Sequence, residues 1–296
     1  MISANRRRSR RVVAPIILLL ATSSVLGNPV GYNGKGTYVI EDDYTGDNIY
    51  IANGTRVYLE NGVITAPNST DDGVSAVVVK DSTFYGKNGA IYGGIGIGGK
   101  GITISTSRDS TNNSPGAATF EAGVEVYGGA AYSEITTSGG VAVQVLHNGS
   151  IATFNGGRFT AGMGCRDDVC GIASVDGIAL HVIQGKAVVK GGTFEGSFYN
   201  ERGQIEVHGC VVYDDETRKI VGVLLDGSDI DVLYRQPAGQ NSPPNITLNY
   251  TSCAESSKTI AVSSALTTGI TVTNPVLWIG LFFGLGFVVG VLLSLQ

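Results

Sequence analysis

Short runs of alternating apolar residues in this chain stop, again and again, at glycine. Examples are VYLENG (57–62), VVKDSTFYG (78–86), VEVYGG (124–129), TFNGGRFTA (153–161), VVKGGTFEG (188–196) and IEVHGC (205–210). Alternation with period two puts every second side chain on one face of a strand. No 3.6-residue period persists between the termini. Each run spans about four residues and ends in a tight Gly or Asn-Gly turn. A strand that short cannot bury its apolar face alone. Stacked copies bury it continuously and pair their backbones at about 4.8 Å per layer.

The runs resemble one another. VVKDSTFYG and VVKGGTFEG agree at six of nine positions, and GVAVQVL at Gly140 matches GIALHVI at Gly177. The turns end at positions 62, 82, 129, 157, 192 and 210, an irregular period with some units lengthened. That pattern suits a solenoid with loop insertions. The 43 glycines and the 15% of charged residues fit it too, against about 25% charged in an average soluble domain.

Short V-x-V strands, recurring G-G-x-F turns and coils of uneven length resemble the right-handed parallel β-helix, or pectin-lyase-like, superfamily. The resemblance covers roughly residues 37–235 and implies an all-β, right-handed parallel β-helix solenoid. A β-sandwich, with strands every 8–12 residues or so, is the competing architecture. KIVGVLLDGSDIDVLYR (219–235) reads as strand, Asp226-Gly227 turn, strand, and so as a terminal coil or hairpin cap. Phe84, Phe159 and Phe194 follow turns and are expected to stack inside the coils.

YGGIGIGGKGI (92–102) contains both G-x-x-x-x-G-K and G-x-G-x-x-G. A phosphate loop needs a helix N-terminus behind it and Ser or Thr after the lysine. Here Gly101 follows Lys100, and TISTS (103–107) is a β-branched strand. These glycines are expected to let backbones pass closely at a coil corner, not to bind a nucleotide. No motif asks for a cofactor.

The two ends give an address. Arg6, Arg7, Arg8, Arg10 and Arg11 precede a short apolar core, and small residues follow, so residues 1–27 read as a secretory signal peptide. Cleavage removes five of the 20 basic residues and none of the 25 acidic ones. The acidic remainder disfavours nucleic acid and anionic lipid headgroups as partners. Residues 28–254 form the expected ectodomain and the Ser/Thr-rich residues 255–274 a stalk. Residues 275–296 are apolar enough to cross a bilayer as a C-terminal transmembrane helix. Ser263 and Ser264, followed by a spacer and this tail, also match a lipid-anchor (GPI) signal. Both readings stay open.

Sequons stand at Asn53, Asn68, Asn112, Asn148, Asn245 and Asn249, the N-glycosylation candidates of a secreted chain. Cys165, Cys170, Cys210 and Cys253 allow three disulfide pairings. Cys165–Cys170 with Cys210–Cys253 is favoured. Their spacing does not suit a metal.

The resemblance carries an enzyme pattern of N-T-D, D-D, G-H-G and R-I-K. This chain offers Asp167-Asp168, His208-Gly209 and Arg218-Lys219 in that order, without N-T-D and without the glycine before His208. Asp167-Asp168 also lies inside the expected CRDDVC hairpin. Glycoside hydrolysis needs two carboxylates at a set separation, which no spacing here supplies. His147 and His181 fall at matching places in two repeats, and strand or turn roles are expected of them. Asp226, Asp229 and Asp231 form only part of a calcium loop. The expected function is therefore non-catalytic. The chain reads as a membrane-attached cell-surface protein, structural, adhesive or glycan-binding, with a carbohydrate or a surface protein as partner. A polysaccharide lyase or glycoside hydrolase on the same fold is the alternative.

Overall fold

The computed structural model describes residues 31–68, 74–95, 99–107, 115–130, 139–164, 177–237 and 245–250. All belong to the compact unit Met1–Cys253, and the second unit, Ala254–Gln296, lies outside them. The expectation of an all-β chain holds: among the described residues there are nineteen strands, joined in one sheet, and no helix. No helix there is long and apolar enough to cross a membrane. The expected leader, stalk and C-terminal membrane segment, with Ser263 and Ser264, lie outside the described residues.

Pairing sorts the strands into ladders. The first runs β1 (Gly31–Asn33), β4 (Ile49–Ala52), β7 (Ser75–Lys80), β9 (Lys100–Ser105), β11 (Val143–Val145), β13 (Ile178–Val182) and β15 (Ser197–Asn200), all parallel. The second runs β2 (Thr37–Ile40), β5 (Arg56–Leu59), β8 (Thr83–Tyr92), β10 (Ala117–Tyr127), β12 (Ile151–Thr160), β14 (Lys186–Glu195), β16 (Gln204–Asp214) and β19 (Ile246–Asn249), again parallel. The third joins β3 (Tyr44–Thr45) and β6 (Val63–Thr65) to the second halves of β8, β10, β12 and β14. The chain visits first, second and third ladder in turn and then returns to the first. β17 (Lys219–Leu224) and β18 (Asp229–Arg235) depart from this, pairing antiparallel with β16 and with each other. They form the expected hairpin across Asp226-Gly227, and β18 then rejoins β15 in parallel.

The register explains the core. Ile51, Val79, Ile104, Val145 and Val182 are partners in successive strands and are all fully buried. Phe84, Phe120, Phe154, Phe159, Phe194 and Phe198 form one aromatic column, with ring centroids 4.8–6.3 Å apart. The inward place expected for Phe84, Phe159 and Phe194 is thus observed. Burying each ring stabilises the stack by about 2–3 kcal/mol.

Two expectations need correcting. The long strands of the second ladder do not stop at Gly-Gly. They run 10 or 11 residues and bend there, because Gly89, Gly157 and Gly192 have φ of 114°, 97° and 106°. The strongest sequence repeat is also out of register. Phe84 of VVKDSTFYG pairs with Ala118 in the second ladder, whereas Phe194 of VVKGGTFEG pairs with Phe159 in the third. Both segments are a strand, a tight bend and a strand, placed at different points of the circuit.

Two corners close each circuit. Between first and second ladder, Asn53, Asp81 and Gly149 take φ of 58°, 52° and 83°, each followed within two residues by a buried hydroxyl: Thr55, Ser82 or Ser150. The Thr55 hydroxyl lies 2.5 Å from the Gly34 carbonyl oxygen and 2.6 Å from that of Ala52. Between third and first ladder, the turns are built of glycine. Gly129 N–H donates to Gly99 O at 2.8 Å, Gly140 N–H to Gly129 O at 2.7 Å and Gly162 N–H to Gly140 O at 2.9 Å. A Cβ on Gly94, Gly129, Gly140 or Gly162 would overlap a backbone oxygen of another turn, and one on Gly99 the Gly94 oxygen of its own. This is the role of Gly94 and Gly99 in YGGIGIGGKGI, and Lys100–Ser105 is a strand as expected.

Candidate functional site

The last residue of each of the strands β6, β8, β10, β12 and β14 points outward from the third ladder. In register these are Thr65, Tyr92, Tyr127, Thr160 and Glu195. Parallel pairing spaces them about 4.8 Å apart, one per circuit. Tyr92 and Tyr127 stack at 4.7 Å with 7° between their planes. The Tyr127 phenol donates to Glu125 Oε2 at 2.6 Å. That bond, with burial, pushes its pKa up to about 12 and keeps it a donor. Arg158 Nη2 donates to Glu195 Oε1 at 2.6 Å, and the carboxylate raises the guanidinium pKa further. Thr160 donates to Glu195 Oε2 at 3.1 Å.

The row runs into a cleft of about 490 Å3. One wall is Thr160, Glu195 and Ser197, the other is Lys219, Asp231 and Arg235 from the hairpin, and glycine backbone lies between. Lys219 and Asp231 form an ion pair at 2.9 Å, both well exposed. The hairpin is held there by Asp226, whose carboxylate accepts the Gly192 N–H at 2.8 Å, and by Ser228, which donates to Gly192 O at 3.1 Å. Asp226 thus docks β17–β18 onto the bend of β14. Among the described residues no group of three acidic, His or Cys side chains is placed to hold a metal.

Two further polar clusters lie on other faces. On the first ladder, Gln144 and His181 are register partners, with Gln144 Nε2 3.3 Å from His181 Nδ1 and His181 Nε2 3.0 Å from Glu201 Oε1. Burial pushes the His181 pKa down despite the carboxylate. The equivalence expected of His147 and His181 is therefore wrong. His147 lies in the corner turn after β11, and Gln144 holds the place that matches His181. On the second ladder, Glu206 is bonded to Lys186, to His208 at 2.8 Å and to Asn249 at 2.6 Å. Lys186 above all lowers its pKa.

The enzyme-like set is not assembled among the described residues. His208 belongs to the Glu206 cluster, Lys219 lines the cleft, and Arg218 sits in a turn at φ 55°. Asp167 and Asp168 lie outside the described residues, as do Cys165, Cys170, Cys253 and Asn112. Cys210 is disulfide-bonded, and its partner lies outside them too. Asn53, Asn68, Asn148 and Asn245 are exposed, and Asn249 is half-buried. Sequence reasoning missed Tyr92, Tyr127, Glu195, Asp231 and Arg235 as a set. A signal for the first three existed, since each stands immediately before a glycine corner. No protein-family model, curated protein or solved structure matches this chain.

Proposed function

We propose that this is a non-catalytic cell-surface protein that binds carbohydrate, serving a structural or adhesive role. Its ladders are the faces of a right-handed parallel β-helix of the pectin-lyase-like kind. The protein enters the secretory pathway by its leader and stays on the membrane through its C-terminal tail. The parallel return of the chain to the same three ladders supports the β-helix. The acidic ectodomain and its expected glycans fit a cell surface better than a nucleic-acid or nucleotide partner.

One observation carries the binding reading: the outward row Tyr92, Tyr127, Thr160, Glu195 leads into the cleft of Lys219, Asp231 and Arg235. An extended saccharide crossing the strands meets one new side chain per circuit. Its hydroxyls find carboxylate acceptors and cationic donors, and its apolar faces find tyrosine edges. The test is a glycan array on the purified full chain, beside Tyr127→Ala and Arg235→Ala. Selective retention, weakened about tenfold by either change, is expected. No retained glycan would defeat the reading.

A second reading, a polysaccharide-cleaving enzyme, rests on Glu195 and Asp231 lining one cleft. Their ion pairs with Arg158 and Lys219, and their exposure, suit binding better than proton transfer. Turnover of a polysaccharide, lost in Glu195→Gln with Asp231→Asn in a folded protein, would establish the enzyme instead.

A further inference from the structure

The described sequons differ in how free their amide nitrogen is, and the fold sets the difference. The Asn249 nitrogen is crowded, 2.6 Å from Glu206 Oε1 and 3.3 Å from His208 Nε2. Asn245 donates to Gly203 O at 2.6 Å, and Asn53 to Asn33 Oδ1 at 2.5 Å. Asn148 is exposed at the tip of its corner turn, and no side-chain bond ties it among the described residues. Its neighbour Gly149 has φ 83° and turns the chain so that the hydroxyl of Ser150 goes inward, 3.0 Å from Thr106 Oγ1.

The structure assigns Asn148 as a glycan-bearing site of this protein and excludes Asn249, a proposal that rests on the secretory reading above. In the transfer, the Asn148 amide nitrogen attacks the anomeric carbon of an oligosaccharide carried on a lipid diphosphate. The C–N bond forms and the anomeric C–O bond breaks. The lipid diphosphate leaves with the bonding pair, and the amide proton passes to a base of the transferase. The sequon requires the serine or threonine two residues on. Ser150 is fully buried once the corner closes, so transfer precedes folding. Folding then sorts the products. A sugar on Asn148 stands in solvent and disturbs nothing, whereas a sugar on Asn249 displaces Glu206 or His208 from the half-buried cluster. Losing a hydrogen bond to a charged group costs about 1.5–3 kcal/mol.

The position also suits the proposed site. Asn148 precedes β12, and the cleft lies beyond the other end of that strand at Thr160, so a glycan there leaves the cleft open. Asn53 occupies the same corner three circuits earlier in the second ladder, where the Thr55 hydroxyl is likewise buried. In both, the N-G-[S/T] letters are what the corner needs. The sequon is therefore also a turn, and the folded surroundings of each amide decide which glycan the fold tolerates.

The experiment is site mapping by mass spectrometry of the full chain expressed with its leader in a eukaryotic secretory host. Enzymatic deglycosylation in heavy-oxygen water marks each occupied site. Occupancy at Asn148 is expected to exceed that at Asn249 by about tenfold or more. Asn148→Gln should remove one glycan mass and leave thermal stability unchanged. Asn249→Gln should remove no glycan mass but lower stability. Heavy occupancy at Asn249, or a bare Asn148 in secreted protein, overturns the assignment. A chain retained in the cytoplasm with its leader attached overturns the secretory reading, and the assignment with it. The intact N-terminus distinguishes that case.

Discussion

The two corners of the circuit solve one problem with opposite chemistry. Where the chain passes from first to second ladder, it buries hydroxyls, and Thr55 and Ser150 satisfy groups that the turn would otherwise strand. Where it passes from third to first, the close approaches are made by glycine, and backbones of Gly99, Gly129, Gly140 and Gly162 bond directly to one another. At Thr55 and Ser150 the hydroxyl corner depends on hydrogen bonds. The glycine corner depends on space, for which there is no substitute. The outward row and the cleft begin at the glycine corner, so the less forgiving of the two positions the proposed site.

The largest expected effect follows from that contrast. Gly140→Ala puts a Cβ against the Gly99 carbonyl oxygen and the Gly129 backbone, none of which is a flexible side-chain end. A loss of about 4 kcal/mol or more, or failure to fold, is expected in denaturant unfolding. Tolerance of alanine there would break the comparison. Phe154→Ala supplies a yardstick that belongs to neither corner. It removes a fully buried ring packed on Phe120, Phe159 and Phe194, for about 3–5 kcal/mol. Thr55→Val keeps the shape of the hydroxyl corner but removes its donor, for about 1–3 kcal/mol, while Thr55→Ser should recover most of the loss. If valine costs as much as the Gly140 change, space and not hydrogen bonding governs both corners.

The smallest effect is a pH slope on a strand face away from both corners. Burial lowers the folded pKa of His181 below its ordinary 6.5, while Glu201 opposes the shift and Lys100 adds to it. As pH falls through 6.5 the unfolded chain takes the proton first, so stability drops on the acid side and is flat above. His181→Gln should abolish that slope, since Gln144 already occupies the same register position one circuit earlier. A slope that survives the change belongs to another group.

Much of the β character was legible in the sequence, because period-two alternation and glycine punctuation are local. GVAVQVL and GIALHVI even align in true register, Val143 opposite Leu180 and Val145 opposite Val182. The strongest repeat, VVKDSTFYG and VVKGGTFEG, does not mark equivalent places, because different bends of the circuit use the same letters. Lys-Asp-Ser-Thr-Phe at Lys80 turns from first to second ladder, and Lys-Gly-Gly-Thr-Phe at Lys190 bends from second to third. Local sequence specifies a turn without saying which turn. The candidate site was less legible. Glu195 and Asp231 stand on a bent strand and a hairpin brought together by the Asp226 contact with Gly192, a meeting that no spacing in the chain encodes.

Parallel return of the chain to the same ladders underlies the corners, the outward row and the cleft alike. Backbone nuclear Overhauser contacts of the labelled protein test it most directly. Contacts are predicted along Phe84, Ala118, Ala152 and Ala187 in parallel order, with the short interstrand α-proton pairs of antiparallel strands confined to β16–β17–β18. Such antiparallel pairs between β10 and β12, as a β-sandwich would give, contradict the account.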